Sequence, residues 1–129
     1  MKKLALVVLL CAISASAEDE IANAQRGVAL LREQMRDPDS MVIEHIYAKM
    51  DHKPDHPQMC IVYRAKNGFG GYGREIAEYT GKRMEADAGN AIGPCNGIER
   101  NWDRAVKKGW ADITDKYKAA ANDQKATGK

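Results

Sequence analysis

Met59-Cys60-Ile61-Val62-Tyr63-Arg64-Ala65-Lys66 is the stretch on which the fold turns. Its side chains alternate: Met59, Ile61, Tyr63 and Ala65 fall on one side of an extended chain, Cys60, Val62, Arg64 and Lys66 on the other. The first set is apolar enough to demand cover, and the upstream chain offers it. Between Asp19 and Arg36, the residues Ile21, Ala24, Val28, Leu31 and Met35 recur at steps of three and four, the period of one helix face. Gly27 interrupts that helix at a cost of about 1 kcal/mol relative to alanine. Asp37-Pro38-Asp39-Ser40 stops it, because Pro38 pushes Asp37 out of helical geometry and aspartate side chains bond turn backbone.

Two further extended runs flank the central one. Met41–Met50 is rich in β-branched and aromatic residues, although Glu44 and His45 break its alternation. Asp51–Pro57 holds two prolines and no apolar residue, which makes it an exposed connection. On the other side, Tyr72–Thr80 reads as a strand pairing with Met59–Lys66, but Tyr72, Ile76 and Tyr79 also fit a helical period, so both remain open. Gly81–Pro94 is polar and irregular. Asn96 then caps a helix with Glu99 three positions on, and Trp102, Val106, Ile113 and Tyr117 continue one stripe with Trp110 at its border.

The expected fold is therefore α+β: an N-terminal helix packed on a small three-stranded antiparallel sheet, a long loop, a C-terminal helix and one disulfide. One domain over residues 18–121 precedes a polar, flexible tail at 122–129. Residues 1–17 read as a signal peptide: Lys2-Lys3, an apolar run from Leu4 to Ile13, then Ala15-Ser16-Ala17 with cleavage after Ala17. Cys11 follows the large Leu10, which does not suit a lipoprotein processing site. The expected location is periplasmic or secreted, and no stretch of the mature chain is long and apolar enough to span a membrane.

Export would remove Cys11 and leave Cys60 and Cys95, for which one intramolecular pairing exists in an oxidising compartment. It would also remove Lys2 and Lys3, so the 20 basic residues fall to 18, equal to the 18 acidic ones. A neutral chain with interspersed signs lacks the footprint of a nucleic-acid binder.

Asn67-Gly68-Phe69-Gly70-Gly71-Tyr72-Gly73 packs four glycines into seven positions. It is no phosphate loop, since no Gly-Lys-Ser/Thr closes it. Asn67, Phe69, Gly70, Gly71 and Tyr72 instead suggest a turn whose aromatic faces meet a partner, against the alternative of a bulged connection with its rings in the core. His52 and His56, flanked by Met50 and Met59, are the metal-binding alternative, although Pro54 and Pro57 prevent a regular helix from presenting both. Catalytic groupings are not evident. Ser40, the one serine after residue 17, sits in a turn without a nucleophile elbow. A Cys60–His45 pair would need a free thiol, and Glu75 and Glu78 read as a solvated face.

Asp37-Pro38-Asp39-Ser40, Cys60, Tyr63–Asn67 and Gly70-Gly71-Tyr72 together resemble small uncharacterised bacterial exported proteins that pair a DPxS turn with a C…AKNxxGGY segment. The likeness covers roughly residues 29–80 and implies fold and export but no catalytic residues. The resulting expectation is a non-enzymatic exported binding or inhibitor-like protein without a cofactor, whose partner is an envelope protein.

Overall fold

The computed structural model describes residues 15–51, 56–66, 70–90 and 92–127. Helix α1 (Ala15–Glu33) is followed by a 3-10 turn at Pro38–Ser40, strands β1 (Val42–Lys49), β2 (Met59–Lys66) and β3 (Tyr72–Tyr79), and a two-residue strand β4 (Met84–Glu85). Helix α2 (Trp102–Lys107), strand β5 (Trp110–Asp112) and helix α3 (Thr114–Thr127) complete the chain. The fold is α+β, with one antiparallel sheet in the order β4-β3-β2-β1-β5.

Five strands therefore replace the expected three. The added pair, two and three residues long, is too short for any period to reveal. β4 lies inside the stretch read as irregular, and β5 inside the stretch read as one C-terminal helix. That helix is divided because Gly109 takes φ +94°, a left-handed conformation that ends α2 and turns the chain into β5. Trp102 and Tyr117 consequently pack in different cores rather than along one stripe, Val106 is exposed, and Trp110 is buried. α3 extends to Thr127, past the Asn122 at which composition places a tail. Tyr72–Tyr79 is a strand, paired with β2 from Met59↔Tyr79 to Lys66↔Tyr72.

The alternation of β2 sorts the interior as read. Met59, Ile61, Tyr63 and Ala65 join Ala24, Val28 and Leu31 of α1, with Ile46, Ala77, Tyr79 and Ile113, in the first core. Leu31, Ile46, Met59 and Ile61 are fully buried there, each stabilising by about 1.5–3 kcal/mol. α1 passes tightly over β3 at Gly27, where an added Cβ would lie 2.8 Å from Cδ1 and 3.0 Å from Cγ of Tyr79. The glycine that weakens the helix is what lets it sit on β3.

The second sheet face is buried too, over about half its length. Cys60, Val62 and Tyr47 meet Ala88, Cys95, Ile98, Ala105 and Trp110 of the segment that crosses back over the sheet. A disulfide joins Cys60 to Cys95 with Cα atoms 5.5 Å apart, fastening this cover to the central strand. At the sheet's far edge, the Thr114 hydroxyl accepts the Ile46 N–H at 2.9 Å and donates to the Asp112 carboxylate, which also takes the Thr114 N–H. These bonds start α3 and tie it to β1.

The disturbance at Glu44-His45 is a β-bulge: Ile43 pairs with Tyr63 and His45 with Val62, so Glu44 is an extra residue in β1. Glu44 is thereby turned towards the side chains of the second face. Glu75 and Glu78, three apart in a strand, point to opposite faces, and neither is fully exposed.

Candidate functional site

Beyond the cover, the second face of the sheet is left open at the end where β2 turns into β3. Ser40 sets that end. Its hydroxyl donates to the Asp37 carbonyl at 2.7 Å and accepts the Lys66 N–H at 2.9 Å, fixing the 3-10 turn to the last residue of β2. The DPxS turn and the glycine-rich turn are thus neighbours in space, 26 positions apart in sequence.

Asn67 and Phe69 lie outside the described residues. Gly70 takes φ +81° with open space where a Cβ would stand, so the turn itself requires glycine there. Gly71 is exposed, and Tyr72 begins β3 with 58% of its surface in solvent. The tyrosine is not part of the core, which removes the alternative of a core ring at this position.

The strand register shows what surrounds it. Lys66 pairs with Tyr72, Arg64 with Arg74, and Val42 with Arg64, so all five share the open face. Val42 is 57% exposed. An aromatic and an aliphatic side chain therefore stand bare on either side of a basic row on β2. Val42, Arg64 and Arg74 were not singled out in the sequence, because only the pairing of β1, β2 and β3 brings them to Tyr72.

Behind this patch a charge network closes the border with the covered half. Arg74 sends both terminal nitrogens to the Glu99 carboxylate, at 2.8 and 2.9 Å, and its Nε to Glu44 at 2.6 Å. Arg64 Nε bonds the other Glu44 oxygen, and the Tyr47 hydroxyl donates to Glu99 at 3.1 Å. The Arg74 and Arg64 guanidinium groups hold Glu44 below the usual carboxylate range, while Arg74 does the same for Glu99 against the opposing effect of burial. The guanidinium of Arg74 is held charged by both partners, Glu99 foremost. Burial and the neighbouring Glu99 carboxylate raise the Tyr47 phenol. Tyr47 stacks on His45 at 5.7 Å and tilts against Trp102 at 4.7 Å, and His45 Nδ1 stands 4.0 Å from Asp112. This arrangement orients the covering segment on β1 and β3 and fixes the guanidinium that borders the open patch.

The remaining titratable groups lie elsewhere. Burial lifts Glu75, with Asp87 adding to the effect, and burial with Glu85 lifts Glu78. Tyr63, whose hydroxyl donates to the Ala86 carbonyl at 2.8 Å, is pushed up to about 12 by burial and by Glu75 and Asp87. His52 lies outside the described residues, and His56 is exposed at the start of the approach to β2. Among the described residues no three His, Cys, Asp or Glu side chains gather as a metal would need, and no helix is long and apolar enough to cross a membrane. No protein-family model, curated protein or solved structure matches the chain.

Proposed function

We propose that the protein is exported to the periplasm or beyond and acts by binding an envelope protein, with no chemistry of its own. The contact surface is the glycine-rich turn and the open end of the sheet beside it: Asn67, Phe69, Gly70, Gly71 and Tyr72 with Val42, Arg64 and Lys66. The observation that carries this reading is the exposure of Tyr72 and Val42 at the open end of a sheet face whose other end is covered. A tyrosine offers a large, rigid face at little entropic cost, and flanking cations add directional bonds, which is the composition of the energetic centre of many interfaces. The leader-like residues 1–17 and the Cys60–Cys95 pairing support the compartment. Engagement of Ser40, Glu44 and Glu99 in structural bonds supports binding over catalysis. A partner held by insertion of this turn, as an inhibitor holds an enzyme, is the form of complex the surface fits best.

The test is affinity capture from an envelope fraction with wild type and with Phe69→Ala/Tyr72→Ala. A partner retained by wild type and lost from the variant is expected. Equal recovery by both removes the turn from the reading.

A further inference from the structure

A cleft of about 210 Å³ lies on the covering segment, away from the open patch, between the Gly93–Ile98 turns, α2 and β5. Its lining is mixed: Ile98, Ala105 and Trp110, side chains of the second core with little surface in solvent, form an apolar part, and Asn96 and Asn101 a polar one. Its rim carries Arg104 of α2 and Lys108, the residue that caps the helix and whose N–H bonds the Arg104 carbonyl at 3.2 Å. No carboxylate lines the cleft. On the second face of the sheet Arg74 is matched by Glu99 and Glu44, Arg64 by Glu44, and Lys49 by Asp51. Neither Arg104 nor Lys108 has an ion pair or side-chain hydrogen bond among the described residues.

We propose that this cleft binds a small organic anion with a flat apolar body, the body against Trp110 and Ile98 and the carboxylate or phosphate between Arg104 and Lys108. The volume admits a body of about one aromatic ring, well below the range of drug-sized pockets. The two cations supply charge-assisted bonds, of which arginine can give two in parallel to either headgroup. The apolar part of the lining favours a ring over a bare inorganic anion, and the two cations favour an anion over a neutral ring. This site is separate from the turn at Tyr72 and does not depend on what that turn binds.

The protein is titrated with benzoate, phenyl phosphate, benzyl alcohol and inorganic phosphate while the amide resonances of Gly97 and Asn101 are followed, both residues lining the cleft. Saturable shifts at those amides with benzoate or phenyl phosphate are expected, and whichever binds more tightly names the headgroup. Arg104→Gln/Lys108→Gln should weaken that binding at least about tenfold with an unchanged melting temperature, since both side chains are exposed. Equal affinity for benzyl alcohol, equal affinity for inorganic phosphate, equal binding by the double variant, or no saturation by any probe would each overturn the site.

Discussion

Replacing Gly27 by alanine separates two opposite expectations. On helix propensity alone the change should stabilise α1 by about 1 kcal/mol. The structure reverses the sign. The new methyl would lie 2.8 Å and 3.0 Å from two ring carbons of Tyr79 and 3.4 Å from Ile61 Cδ1, whereas carbon atoms prefer about 3.5–4.0 Å. The ring cannot swing aside, because Tyr79 is a fully packed member of the first core at the point where β3 meets β4. Overpacking of this kind costs about 1–3 kcal/mol. Less the propensity gain, a net loss of up to about 2 kcal/mol follows, at roughly 4–8 °C in Tm per kcal/mol for a domain of this size. Urea unfolding followed by circular dichroism measures it, and an unchanged m-value shows that the native state is the one affected. Gly27→Ala/Tyr79→Leu should recover part of the loss through relief of the contact. An increase in stability for Gly27→Ala alone would mean that α1 does not sit on the sheet as described.

Cys60→Ala/Cys95→Ala should lower stability by about 3–4 kcal/mol, from the chain entropy of a 35-residue separation, as read by urea unfolding. Thr114→Val leaves the Ile46 N–H without its acceptor and should cost about 1–3 kcal/mol, with faster amide exchange at Ile46 reporting the site. Glu99→Gln should cost about 0.5–1 kcal/mol at pH 7. Because its folded-state pKa is depressed by Arg74, that stability is present above the ordinary glutamate range and disappears as pH falls through the lower folded value, so the two stability curves must converge in acid. Glu78→Gln should act in the opposite sense. Burial and the facing Glu85 raise the Glu78 pKa, the charged form is penalised at neutral pH, and the variant should be more stable by about 0.2–1 kcal/mol at pH 7 with no gain at pH 4.

The alternation in β2 was enough to assign both sheet faces, because a half-buried strand writes its environment every second residue. The i, i+3, i+4 spacing of Ala24, Val28 and Leu31 likewise named the helix that covers the first face. Glu44-His45 looked like noise in a strand and was a bulge, which is what an extra residue does to a period of two. β4 and β5 left no periodic trace, and Trp102 to Tyr117 imitated a continuous helix because the breaking conformation rests on one residue, Gly109. Of the candidate surface, Tyr72 was legible as an aromatic in a glycine-dense turn. Val42, Arg64 and Arg74 were not, since cross-strand neighbours far apart in the chain become visible only once the register is known. The Glu99–Arg74 pairing spans 25 positions and two layers, and nothing local announces it.

The two layers flanking the sheet differ in the chemistry that completes them. The helical layer closes by side-chain packing and by hydrogen bonds such as that from the Ile46 N–H to the Thr114 hydroxyl. The opposite layer, carrying Ile98 and Trp110, is fastened to the central strand by a bond that forms only when two thiols give up their electrons. Reducing that one bond should therefore loosen the cover over the second face, leaving it to Glu99's bonds with Arg74 and Tyr47, while the packing of α1 on the first face stays in place.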